Sequence, residues 1–114
     1  MGILRLLSGL LSSASQETAR SEQEQKEVDL RTARLALYQF DSCPYCIRVN
    51  RAINRLGLNI TRRNIHQSAE HAAELRRGGG KSQVPCLHIA HRDKPAEWLY
   101  ESADIIKYLK QEFS

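Results

Sequence analysis

Apolar positions along the chain change their spacing several times, and each change marks an element. In Met1–Ser12, Ile3, Leu6, Leu7, Leu10 and Leu11 recur at three- and four-residue intervals, which predicts a short amphipathic helix. Residues 13–34 then run almost entirely through Ser, Gln, Glu, Lys and Arg, the pattern of a solvated helix or linker with too few apolar side chains to pack tightly. Leu35–Phe40 is a compact apolar and aromatic run, read as a buried strand. After the turn Asp41-Ser42-Cys43-Pro44, the residues Ile47, Val49, Ala52, Ile53 and Leu56 form a helical stripe that stops at Gly57. Pro44 suits the first helical position, where its missing N–H costs nothing. Leu58–Ile65 reads as a second strand. Ser68 caps a helix that passes Leu75 and ends at Gly78-Gly79-Gly80. Val84–Ala90 and Glu97–Tyr100 read as strands joined by a hairpin. Ser102 caps a last helix with Ile105, Ile106, Leu109 and Phe113 inward.

The order β-α-β-α-β-β-α describes an α/β fold, with a mixed sheet covered by helices. The division is an extension over 1–33 and a single domain over 34–114. A chain of 114 residues leaves no room for a separate cofactor domain.

Composition narrows the chemistry. The formal charge of +4, with an isoelectric point near 9.2, is too mild to imply nucleic acid, and none is expected as a partner. The apolar stretch Met1–Ser12 is too short to cross a bilayer, which takes ~20 residues. It offers a peripheral membrane contact or a surface that docks on the body. Arg5 interrupts any export signal, and Leu6 stands where a myristoylation motif wants Ser or Thr. The compartment expected is therefore cytoplasmic and reducing, and the chain monomeric. There, three cysteines imply redox chemistry, metal or burial rather than a structural staple. No metal is expected, because Cys86 and the four histidines show no ligand spacing around Cys43 and Cys46.

Cys43-Pro44-Tyr45-Cys46 follows a strand and opens a helix. Free N–H groups and the dipole at such a start favour a thiolate, so Cys43, expected to be exposed, is the candidate nucleophile. Cys46, one turn further in, is the candidate resolving thiol. Arg48 and Arg51 read as solvated helix charges. Gly80-Lys81-Ser82 reads as a turn, since a phosphate loop needs glycine where Leu75 stands. Cys86 reads as a small core residue, and Trp98 and Tyr100 as packing residues on a strand.

Taken with Gln83-Val84-Pro85 and Tyr100-Glu101-Ser102-Ala103-Asp104-Ile105, the Cys43–Cys46 motif resembles the glutaredoxin family of the dithiol type and the related N-terminal domain of glutathione transferases. The resemblance covers almost all of 35–113. It implies a thioredoxin-like fold with a four-stranded sheet and a cis bond before Pro85. It implies glutathione as reductant and co-substrate, bound by Tyr45, Gln83, Val84, Pro85, Glu101, Ser102 and Asp104, with Cys43 and Cys46 catalytic. The activity it implies is reduction of protein disulfides and glutathionylated proteins. Two alternatives remain open: an iron-sulfur cluster carrier, which the rigid Pro44 disfavours, and a transferase-like glutathione-binding protein, which would want an all-helical second domain. Many glutaredoxins carry Lys where this chain has Phe40, leaving Gln39, Arg76 or Lys81 to receive the glycyl carboxylate.

Overall fold

The computed structural model describes residues 20–114, so the expected helix over Met1–Ser12 lies outside the described residues. Four helices and four strands follow in the order α1 (Glu22–Thr32), β1 (Leu35–Gln39), α2 (Pro44–Arg55), β2 (Thr61–Asn64), α3 (Ala69–Gly79), β3 (Cys86–Ile89), β4 (Glu97–Leu99) and α4 (Ser102–Phe113). The sheet order is β2-β1-β3-β4, with β1 and β2 parallel and both other pairings antiparallel. From Leu35 onward this is the predicted β-α-β-α-β-β-α succession, a thioredoxin-like fold.

Side chains alternate across the sheet because successive Cβ atoms point to opposite faces. Leu35, Leu37, Leu87, Ile89 and Leu99 face α2 and α4 and join Val49, Ile53, Ile105 and Leu109 in the main core. Tyr38 and Cys86 face the other way and meet Leu75 of α3, with Trp98 and Tyr100 packed alongside. β1 is buried along its whole length because it lies between two strands and two helical layers.

The strands are shorter than the apolar runs that announce them. Leu58 and Ile60 enter the core but precede β2, which is an edge strand with an exposed start. Pairing of β3 begins at Cys86, after the cis bond between Val84 and Pro85. α3 does not stop at Gly78: it runs to Gly79, and Gly80 closes it in the left-handed region at φ 88°.

The polar segment before β1 differs from the sequence expectation in how it packs. Its first part closes in a reciprocal cap, Ser21 Oγ accepting from Glu24 N and Glu24 Oε1 from Ser21 N. Val28 and Thr32 are buried. Polar side chains supply the rest of the docking. Arg20 donates to the Phe113 carbonyl at 3.0 Å, Gln25 to the Gly57 carbonyl at 3.2 Å, Asn59 to Asp29 at 2.9 Å, and Arg31 meets Glu112 at 3.2 Å. Hydropathy does not register this attachment, since hydrogen bonds from polar side chains to helix ends and to other polar side chains make most of it.

Candidate functional site

Sheet register decides which loops meet. Tyr38 pairs with Cys86. Continuing that antiparallel register sets Pro85 opposite Gln39 and Val84 opposite Phe40, beside the turn that leads to Cys43. Leu87 pairs with Leu99, and the same continuation sets Glu101 opposite Pro85. A direct contact confirms this side of the arrangement: Gln83 Nε2 donates to Glu101 Oε2 at 3.3 Å. The N-termini of α2 and α4 therefore open at the same end of the molecule as the cis Val84–Pro85 segment.

Cys43 occupies the N-cap of α2 with extended backbone, and Pro44 is the first helical residue. The Cys43 thiol is not exposed as expected: the residue is 5% exposed, because its Sγ turns back over the helix start and accepts from Cys46 N at 3.3 Å. That contact is the sulfur version of a side-chain N-cap. Cys46 is fully buried. Burial above all, with its hydrogen bond to Cys43 adding to it, pushes the Cys46 thiol up to about 12 from an ordinary 9.0. The intervening Tyr45 is well exposed at 59%.

At the other helix start, Ser102 is the first helical residue and not the cap. Glu101 holds the N-cap position and makes no side-chain cap bond, because its carboxylate is engaged with Gln83. The first N–H groups of α4 are thus left without a capping side chain, in the presence of an acidic residue at Asp104. Ser102 is half-buried, while Glu101 and Asp104 are exposed. Val84 is half-buried and Pro85 buried.

Of the residues considered for the place of the missing lysine, Gln39 is excluded: it is buried, and its Oε1 accepts from Asn50 at 2.7 Å. Arg76 is exposed near the end of α3. Lys81 lies on the Glu101 side, its ammonium 5.2 Å above the Tyr100 ring and its backbone bonded to the Tyr100 hydroxyl. Phe40 is stacked on His66, with ring centroids 4.1 Å apart and 14° between planes. His66 at this end of the sheet was not expected from sequence. The signal available is that β1 and β2 run parallel, so the residues after both strands must emerge together.

Cys86 is fully buried against Tyr100, and burial pushes its thiol up to about 12. It is the core residue that its pattern predicts. Among the described residues no group of three or more His, Cys, Asp or Glu side chains is arranged to hold a metal ion, and no helix is long and apolar enough to cross a membrane.

Residues 37–114 match the family described as glutathione S-transferase, N-terminal domain. Solved structures similar to the chain include glutathione transferase Omega 1C from Trametes versicolor, at 21% identity and a TM-score of 0.58, covering 70% of this chain and 37% of that one. The trimeric glutathione transferase TDR1 of Leishmania matches at 24% identity and 0.58, over 70% of this chain and 18% of that one. Glutathione transferase E6 from Drosophila melanogaster matches at 26% and 0.54, over 70% and 35%. The chain therefore spans about a third or less of the length of these solved relatives. A comparison with curated proteins returned no match.

Proposed function

We propose that this chain, which belongs to the family of glutathione S-transferase N-terminal domains, is a glutathione-dependent thiol-disulfide oxidoreductase that reduces glutathionylated proteins through Cys43. The observation that carries this reading is the cysteine at the N-cap of α2, with its sulfur already accepting a helix N–H. That contact holds the sulfur over the free N–H groups of the helix start, the setting in which a cysteine serves as a nucleophile.

In the proposed reaction the Cys43 thiolate attacks the glutathionyl sulfur of a protein mixed disulfide. The S–S bond between the glutathionyl and protein sulfurs breaks, the protein leaves as a thiolate that takes up a proton, and Cys43 is left disulfide-bonded to glutathione. A second glutathione thiolate then attacks that glutathionyl sulfur, releasing oxidised glutathione and the Cys43 thiolate. Two electrons pass from two glutathione molecules, one of them supplied as the original adduct. In the dithiol branch the Cys46 thiolate attacks the Cys43 sulfur instead and expels its glutathione as a thiolate that takes up a proton, and the resulting Cys43–Cys46 disulfide is reduced by two glutathiones.

This chain's own groups supply the binding. The Val84 backbone, turned by the cis bond to Pro85, can pair with the cysteinyl backbone of glutathione as an added strand. The uncapped N–H groups of α4 suit the γ-glutamyl carboxylate, and Glu101 or Asp104 its ammonium. Gln83 orients Glu101. Tyr45, exposed between the cysteines, flanks the reacting sulfur.

The test is reduction of a glutathionylated peptide with glutathione as donor, followed as oxidised glutathione formed. Cys43→Ser should abolish turnover and Cys46→Ser should keep most of it. Retained activity in Cys43→Ser refutes the assignment.

A transferase reading is favoured by Glu101-Ser102, which has the form of the transferase motif. A cysteine at the helix start argues for exchange instead, because it bonds to the glutathione sulfur where conjugation wants that sulfur left free. Conjugation of a generic electrophile by the Cys43→Ser protein above the uncatalysed rate would favour the transferase.

A further inference from the structure

α2 carries Arg48, Arg51 and Arg55 and no carboxylate. The spacing sets all three arginines, with Pro44, within one narrow face of the helix, because positions i, i+4, i+7 and i+11 lie over one another at 3.6 residues per turn. All four residues are exposed, and Tyr45 and Ile47, at 59% and 41%, are exposed in the first turn beside Cys43. No ion pair to Arg48 or Arg51 forms among the described residues.

A helix face that is merely solvated has no reason to hold one sign. The other three helices mix signs: α1 sets Glu22 and Glu24 against Arg31, α3 sets Glu70 against Arg76 and Arg77, and α4 sets Asp104 against Lys110. In α2 the like charges at i,i+3 and i,i+4 oppose helix formation, and only Arg55, in the last turn, is favoured by the helix dipole. Arg48 and Arg51 therefore hold their charges on this face with no ion pair among the described residues to account for them.

We infer that the exposed face of α2 is a docking strip for an acidic polypeptide carrying the disulfide that Cys43 attacks. This rests on the proposed function and names its substrate class. The strip begins at the nucleophile, so a partner chain held there has its disulfide at Cys43. α2 is ~18 Å long, the reach of about five extended residues, so the acidic side chains belong within about five residues of the partner's cysteine. Nucleic acid fits less well, since it holds no disulfide and Tyr45 alone gives no row of rings for stacking.

The experiment compares the full chain with its Arg48→Glu/Arg51→Glu and Arg48→Gln/Arg51→Gln forms. Substrates are three peptides of equal length whose glutathionylated cysteine is followed by aspartates, by serines or by lysines, and glutathionylated free cysteine. The unaltered chain should reduce the aspartate peptide about 10-fold faster than the serine peptide at low salt, a steering effect that fades as salt rises. The Gln form should lose the preference and the Glu form should reverse it toward lysine, while all three treat glutathionylated cysteine alike. Equal rates on aspartate and serine peptides would overturn the strip. So would unchanged preference in both variants. Binding is read separately by fluorescence anisotropy with cysteine-free versions of the peptides and with oligothymidylate. Tighter binding of oligothymidylate than of the aspartate peptide also overturns the proposal. If no form turns over glutathionylated cysteine, the oxidoreductase reading falls, and the anisotropy arm alone decides whether the strip binds acidic chains.

Discussion

The two cysteines of the α2 start differ in position, Cys43 on the cap at 5% exposure and Cys46 inside the first turn with none, and the roles proposed for them rest on that difference. Cys46 is fully buried, with its thiol pushed up to about 12, chiefly by burial. At neutral pH it is protonated and a poor attacker, because exchange rates follow the thiolate fraction. The monothiol route should therefore dominate at pH 7, with Cys46→Ser close to the unaltered rate. The contribution of Cys46 should grow as pH rises toward 9.5, so the ratio of unaltered to Cys46→Ser rates should climb with pH; a flat ratio would show that burial does not govern this thiol. Cys86 provides a stability test of the same physics. Its thiol is also raised to about 12, so above pH 9 the unfolded chain loses a proton that the folded chain keeps. Stability from this group is complete below 9 and declines as pH rises toward 12, by at most about 1.4 kcal/mol per pH unit. Urea midpoints at pH 8 and 10 should fall further for the unaltered chain than for Cys86→Ala. At this scale the sequence exposes the Cys43–Cys46 motif, since its neighbours in space are its neighbours in the chain. It does not expose Phe40 on His66 or Gln39 with Asn50, because those pairs exist only once β1, β2 and α2 have been assembled.

Element boundaries follow tertiary contact where local pattern would place them elsewhere, and α3 is the clearest case. Three consecutive glycines look like a stop, yet two of them are helical. A Cβ on Gly78 would lie 2.1 Å from Trp98 Cζ2, and one on Gly79 would lie 1.9 Å from the Tyr100 hydroxyl oxygen. Those glycines let the helix backbone settle directly on two rings of β4 and its following residue. In an unconstrained helix, replacing Gly by Ala gains roughly 1 kcal/mol. Here the sign should reverse: Gly78→Ala must displace the indole, which is itself wedged between Tyr38 and His88. The expected result is a lower urea midpoint together with altered Trp98 fluorescence. A stabilised Gly78→Ala protein would mean that the ring moves without cost. Gly80 is a different case, open in space but at φ 88°, so its need for glycine is one of backbone conformation alone. The sequence shows the glycines and not the rings, so it signals a break and misses the contact.

Across the whole molecule, the candidate site and the attachment of α1 lie at opposite ends of α2 and α4. The starts of α2 and α4 carry Cys43 and Glu101 at one end of the sheet. The opposite ends of the same helices, at Gly57 and at Glu112 and Phe113, receive α1 through Arg20, Gln25 and Arg31. The α/β order was readable because each element buries one clear face. The docking of α1 was not, because Val28 is nearly its only apolar anchor and hydrogen bonds to the ends of α2 and α4 and between polar side chains supply the rest. This geometry gives a prediction with two parts. Val28→Ala removes buried methyl groups from the main core and should lower unfolding stability by about 1.5 kcal/mol. The site lies at the other end of α2 and α4, so KM for glutathione and the rate on a small glutathionylated substrate should stay within twofold under conditions where the protein remains folded. If Val28→Ala instead raised KM with little loss of stability, α1 would be acting on the site through α2 or α4 rather than closing the far end of the core.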